Sequence, residues 1–122
     1  MGMYTELVLK VEVKKQLPPE VEEVLQFLFN GGPKPELTPN HPFFDTERWT
    51  HIGNMSSYYH TPWTTSKYKE SYIFSRSDLK NYNGEIGKFI DWLRPYLGKY
   101  QGDCLGWEWY EEEEMPTLIT RR

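Results

Sequence analysis

A regular alternation of apolar and charged residues runs through the start of the chain. Apolar side chains occupy every second position, at Leu7, Leu9, Val11 and Val13, with glutamate or lysine at most of the positions between them. Because successive side chains of a strand point to opposite faces, this period of two predicts a strand over residues 4–15 with one buried face.

Two further segments carry apolar residues at helical spacing. The first follows the break at residues 17–19, whose prolines suit the first turn of a helix, and it ends at the Asn-Gly-Gly sequence of residues 30–32. The second has its apolar stripe within residues 86–93, with Asn81 or Asn83 as the residue that caps its start. Each predicted helix has one apolar stripe, which suits packing against one side of a sheet.

The remaining strand signals complete the fold prediction. Strands are predicted over residues 48–59, 70–76, 105–110 and 117–120. Residues 30–47 and 57–69 are predicted to be long loops. The resulting order is β-α-β-β-α-β plus a short C-terminal strand, so we expect residues 1–122 to form a single α+β domain. We expect the split βαβ or ferredoxin-like arrangement, a mainly antiparallel sheet with two helices on one face. The other face would be solvated or used for binding.

Charge and cysteine content restrict the class of protein. The formal net charge is −4, and five of the eighteen acidic residues lie at Glu108 and in the run Glu111 to Glu114. An acidic chain argues against a strongly basic nucleic-acid binder. Cys104 is the only cysteine, so there is no disulfide framework, and no apolar run approaches the length of a membrane span. We expect a cytoplasmic protein that does not associate with membranes.

Residues able to carry chemistry do not form a recognisable catalytic or metal-binding motif. The spacing of His41, His51 and His60 matches no zinc pattern, and Cys104 has no histidine near it in sequence to activate its thiol. The four consecutive glutamates from residue 111 are typical of a solvated turn, and the alternative is an acidic patch that contacts a basic partner surface. We therefore expect no metal, no cofactor and no enzymatic activity.

Aromatic residues are concentrated in the middle of the chain, where nine of the twenty lie between residues 43 and 74. We expect four residues of this region to belong to the core, namely Phe44, Trp49, Ile52 and Phe74. Four others lie among Ser, Thr, His and Lys in the 57–69 loop and are the predicted binding residues, namely Tyr58, Tyr59, Trp63 and Tyr68. Tyrosine and tryptophan favour contact surfaces because each offers a large rigid ring with a polar group; the alternative is that they stabilise the loop.

Four short motifs are distributed over most of the chain. They are HPFFDTERW at residues 41–49, SSYY at 56–59, LKNY at 79–82 and PTLI at 116–119. Together they resemble the pattern of small uncharacterised proteins encoded in phage and prophage genomes. The resemblance implies an accessory protein of a mobile element, and it carries over no activity and no catalytic residue.

These observations leave three interpretations of function. The first is a non-catalytic binding module that contacts a host or phage protein, or a second copy of itself, through the aromatic loop or an open sheet face. The second is a nucleotide or nucleic-acid binder, with bases stacked on Tyr72, Phe74, Trp107 and Trp109 and phosphates near Lys67, Lys69 and Arg76. The third is an enzyme with an unrecognised site. We rank them in this order.

Overall fold

The described part of this computed structural model comprises residues 3–54, 65–98 and 104–120. Its strands are β1 (Thr5–Glu12), β2 (Thr65–Lys69), β3 (Tyr72–Leu79), β4 (Cys104–Tyr110) and β5 (Thr117–Thr120). Its helices are α1 (Pro19–Asn30) and α2 (Glu85–Leu93), and short 3₁₀ helices cover Pro42–Asp45, Trp49–His51 and Arg94–Tyr96. Within these residues, no helix is long and apolar enough to cross a membrane.

The five strands form one antiparallel sheet in the order β2-β3-β1-β4-β5. The central strand is β1, which pairs with β3 on one side and with β4 on the other. Both of its neighbours are distant in sequence, so the sheet is held together by long-range pairing. The prediction of an α+β fold with a mainly antiparallel sheet and two helices is confirmed.

A hydrophobic core lies between the helices and one face of this sheet. On β1 the buried face is formed by the alternating residues Leu7, Leu9 and Val11. The two helices meet over it, since the ring centroids of Phe29 in α1 and Phe89 in α2 are 6.0 Å apart. The sequence patterns of β1 and α2 therefore identified their core faces correctly.

The edge strand β2 occupies residues that the sequence predicts to be a loop. The turn between β2 and β3 consists of Glu70 and Ser71, which have positive φ angles of 53° and 71°. Two residues with positive φ suit the twist of a hairpin, but glycine or asparagine normally signals such a turn. Because neither residue is present, local sequence does not indicate the hairpin. Strand β3 also begins two residues later than predicted and continues to Leu79.

Residues 48–54 form helical turns instead of the predicted strand. Trp49–His51 is a 3₁₀ helix, and Trp49 and Ile52 are both buried. Three residues per turn place these two side chains on the same side, against the core. The strand prediction for residues 48–59 is therefore wrong over its described part, and residues 55–59 lie outside the described residues.

Candidate functional site

The sheet has a second face, which points away from the core and which α1 and α2 do not cover. Side chains alternate along each strand, so this open face carries the even-numbered residues of β1 and their cross-strand partners. It includes Val8, Lys10, Glu12, Lys67, Lys69, Tyr72, Phe74, Arg76, Trp107, Trp109 and Leu118. We refer to this surface as the open face.

Two aromatic rings on β3 are accessible on the open face. The side chain of Phe74 is 49% exposed and that of Tyr72 is 47% exposed. The expectation that Phe74 belongs to the core is wrong, because its position opposite Lys10 of β1 directs it away from the helices. The two half-exposed rings, which neighbour each other on one strand, form an exposed aromatic patch on the open face.

Lysine side chains flank these rings across the strands. Phe74 pairs with Lys10 of β1 on one side and with Lys67 of β2 on the other. Tyr72 pairs with Lys69 and with Glu12 in the same way. Directly paired residues have Cβ atoms roughly 4.5–5.5 Å apart, so each ring lies beside at least one ammonium-bearing side chain.

A shallow cleft of about 570 Å³ lies beside these rings. Its lining includes Val8, Phe74 and Trp107, and Cys104 and Gly106 of β4 contribute to it. This volume is in the range of small-ligand sites, roughly 300–1,000 Å³. The indole Nε1 of Trp107 is buried and has no hydrogen-bond partner among the described residues. Most of the lining is apolar, although Lys10 and Arg76 also line the cleft, and the indole N–H of Trp107 is available as a donor.

The shape of the cleft depends on an irregular position in β4. The pairing of β4 with β5 shifts register between Cys104 and Gly106, and Gly106 has a φ of 144°. A Cβ atom at residue 106 would lie 1.8 Å from the carbonyl oxygen of Val8. Only glycine permits this approach, so Gly106 allows β4 to lie against β1 at the cleft.

A network of charged groups adjoins the cleft, because Arg76 is one of the residues that line it. The Nε atom of Arg76 donates to Glu6 at 2.8 Å, and its Nη1 atom lies 2.9 Å from Asp78. Both carboxylates are buried, with side-chain exposures of 7% and 0%. The nucleic-acid-binding interpretation of the sequence predicted that Arg76 lies near bound phosphates. In the structure its guanidinium already pairs with two carboxylates, and phosphate binding near Arg76 stays a prediction.

Tyr68 is the one predicted binding residue within the described part of the chain, and it lies in the core. Its side chain is only 8% exposed, and its hydroxyl donates to Glu22 at 2.8 Å. Burial, together with this hydrogen bond and the negative charge of Glu22, raises the pKa of Tyr68 above its ordinary value. The side-chain amide of Asn30 also binds the backbone N–H and C=O of Tyr68. Tyr68 therefore fastens the edge strand β2 to α1.

The other three predicted binding residues, Tyr58, Tyr59 and Trp63, lie outside the described residues. Lys10 is a residue that sequence analysis missed. Its position opposite Phe74 depends on the register between β1 and β3, which no local pattern reveals. The four stacking candidates named above, by contrast, are all placed on the open face by the pairing of β1 with β3 and β4.

Of the three histidines, His41 has structural partners, whereas the buried Nδ1 atom of His51 has no hydrogen-bond partner among the described residues. The Nδ1 atom of His41 accepts the backbone N–H of Phe43, and its Nε2 atom lies 3.0 Å from the carboxylate of Asp91. His60 lies outside the described residues. Within the described part of the chain, no group of three or more His, Cys, Asp or Glu side chains could hold a metal ion.

Glu108 is an acidic group in an unusual environment on β4. Burial, with a smaller contribution from the Glu113 carboxylate, raises its pKa above the ordinary value of 4.5. It borders a small cleft of about 190 Å³ that also includes Thr5 and Tyr110. This cleft lies on the core side of the sheet, because Glu108 pairs with Leu7.

Comparison with known proteins adds no information about function. No protein-family model matches the chain, and no curated protein or solved structure matches it either.

Proposed function

We propose that this chain is a non-catalytic binding module whose contact surface is the open face of the sheet. The observation that carries the proposal is the half-exposed pair Tyr72 and Phe74 beside the apolar cleft at Trp107. Each ring leaves about half of its surface in water, and a partner that covers this half gains apolar burial at about 25 cal/mol per Å². The open face is suited to that role.

Three finer assignments belong to the same proposal. The ferredoxin-like class is supported by the order β2-β3-β1-β4, in which β3 lies between β1 and β2, and β5 is an addition at the edge. An origin in a phage or prophage is supported by the motifs at residues 41–49, 56–59, 79–82 and 116–119. A cytoplasmic location is supported by the single cysteine.

The sequence alone favoured a protein partner, with the aromatic loop or an open sheet face as the contact. Three of the predicted loop residues remain candidates for that contact, namely Tyr58, Tyr59 and Trp63. Tyr68 lies in the core, where it joins β2 to α1. The pairing of the strands shows in addition that lysine side chains flank Phe74. Their positive charge restricts the chemistry of the partner.

Cys104 provides a direct test, because it is the only cysteine, is exposed and lines the cleft. A photo-activatable benzophenone attached to Cys104 should form adducts in a lysate of the host cell. The adducts should be lost in the Phe74→Ala variant. Digestion with nuclease or with protease would distinguish nucleic-acid adducts from protein adducts, and an adduct of twice the chain's mass would indicate self-association.

The matched control moves the label to the opposite side of the molecule. Lys88 is exposed on α2, so the Cys104→Ser/Lys88→Cys variant carries the same label on the helical layer. Adducts that form equally from both positions, or that persist unchanged in Phe74→Ala, would contradict the proposal.

A further inference from the structure

We infer that the open face binds a single strand of nucleic acid, with bases stacked on Phe74 and Tyr72 and phosphates held by nearby lysines. This inference rests on the proposed function and specifies the chemical class of its partner. The lysines concerned are Lys10, Lys67 and Lys69.

The spacing of the two rings suits consecutive bases. Phe74 and Tyr72 are two residues apart on β3, so they point to the same face and lie roughly 6.8 Å apart along the strand. Every base offers a flat π-face, and unpaired bases stack on aromatic side chains regardless of sequence. Bases in a duplex are already stacked on one another, so the rings select a single strand.

The charge around the rings favours a polyanion over a protein partner. Aromatic residues are enriched in the centres of protein interfaces, but lysine is depleted there. Here Lys10 and Lys67 stand on both sides of Phe74, and Lys69 stands beside Tyr72. Glu12 is the one carboxylate that pairs with either ring. Lysine beside an exposed ring matches the combination of phosphate contact and stacking that single-strand binders use.

An alternative account explains two of the lysines but not the third. Charged side chains on an edge strand prevent sheets from joining edge to edge, and Lys67 and Lys69 lie on the edge strand β2. Lys10 lies on the central strand β1, where no edge needs protection, and it is exposed. Its position beside Phe74 is therefore explained better by a ligand.

Acidic groups confine the basic region to one half of the open face. The run Glu111 to Glu114 follows β4, and the N–H of Glu111 donates to the carbonyl of Tyr4 at 3.1 Å. This turn lies beside the start of β1, whereas Lys10 and the paired Phe74 lie toward its end. A polyanion is consequently directed to the half that carries the two exposed rings. The cleft and the indole N–H of Trp107 adjoin that half.

The probe is a fluorescein-labelled twelve-nucleotide dT strand, with a duplex of the same length for comparison, read by fluorescence anisotropy. Non-specific binding in the range of about 10⁻⁴–10⁻⁶ M is expected for the single strand, with weaker binding of the duplex. Three phosphate contacts predict that log K falls with log[salt] with a slope of about −2, since a single strand contributes about −0.7 per contact.

Two variants separate stacking from charge. Phe74→Ala should weaken binding about five- to 150-fold without changing the salt slope. Lys10→Gln should reduce the magnitude of the slope by about 0.7. The matched controls are Leu37→Ala, which removes an exposed apolar side chain, and Lys88→Gln on α2, and both should bind like the unmodified protein. Circular dichroism of each variant establishes that it is folded.

Alkylation of Cys104 locates the bound strand independently of any substitution in the face. Bound dT should slow the reaction of Cys104 with iodoacetamide, and high salt should abolish that protection. Absence of dT binding, or binding that neither Phe74→Ala nor Lys10→Gln affects, would overturn the inference. If dT does not bind but a protein from the lysate forms Phe74-dependent adducts at Cys104, the proposed function stands and the nucleic-acid inference fails.

Discussion

Replacing Gly106 by alanine tests how β4 is held against the centre of the sheet. The φ of 144° at this residue is one that side-chain-bearing residues rarely adopt, and the new Cβ would lie 1.8 Å from the Val8 carbonyl oxygen. That oxygen belongs to the backbone of β1 and cannot rotate away. The variant must therefore separate β4 from β1 at the cleft or rotate the peptide at residue 106.

The expected cost combines two contributions. Backbone strain of this kind costs about 1–3 kcal/mol, and forcing extra volume into a packed region costs about 1–3 kcal/mol more. The free energy of unfolding should fall by about 2–6 kcal/mol, a large part of the 5–15 kcal/mol typical of a domain. For a chain of 122 residues each kcal/mol corresponds to about 4 °C in Tm. Urea unfolding followed by tryptophan fluorescence and by circular dichroism measures the change.

Gly87→Ala is the matched control, because it introduces the same methyl group but is expected to change the free energy of unfolding in the opposite direction. Gly87 lies within α2, and a Cβ there meets nothing within 4 Å. Alanine favours the helix over glycine, so this variant should be more stable by about 0.5–1 kcal/mol. A loss below 1 kcal/mol for Gly106→Ala, or equal effects of the two substitutions, would refute the reasoning about β4.

Two further predictions concern groups in unusual environments. Because the pKa of Glu108 is raised in the folded protein, its contribution to stability is full below its ordinary pKa of 4.5 and is lost as pH rises through the folded value. Glu108→Gln should therefore increase Tm relative to the unmodified protein at pH 7 and have little effect at pH 4. A variant with a lower Tm at pH 7 would contradict this assignment. Tyr68→Phe removes the hydroxyl bond to Glu22 and should lower stability by about 1–2 kcal/mol, with dT binding unchanged. Weakened dT binding by a fully folded Tyr68→Phe protein would instead indicate that Tyr68 belongs to the contact surface.

Local patterns in the sequence determined the elements whose residues interact with near neighbours. The strict alternation in β1 identified both the strand and its buried face, and Val11 is indeed buried. Helix α1 has proline in its first turn and is followed by Gly31, which adopts the left-handed conformation expected after a helix. The N-cap residue of α2 is Gly84 and neither of the predicted asparagines, although the side chain of Asn81 accepts the N–H of Ile86 in the first turn at 2.8 Å. Periodicity and capping act within a few residues, so they can be read without knowing the fold.

Contacts between separate elements of the fold decided the remainder. The hairpin at Glu70 and Ser71 has no local signal and forms because β2 gains a partner in β3 and a side-chain contact from Asn30. Tyr68 resembles a residue of an exposed polar loop, yet the packing of α1 against β2 buries it.

The open face could not be assembled from the sequence for the same reason. Lys10 is far in the chain from Phe74 and Lys67, and the three become neighbours only through the register of three strands. A shift of one residue in either register would direct one of these side chains to the opposite face of the sheet. The sequence supplied the aromatic and basic residues, and the long-range hydrogen bonding of the sheet determined which of them share a surface.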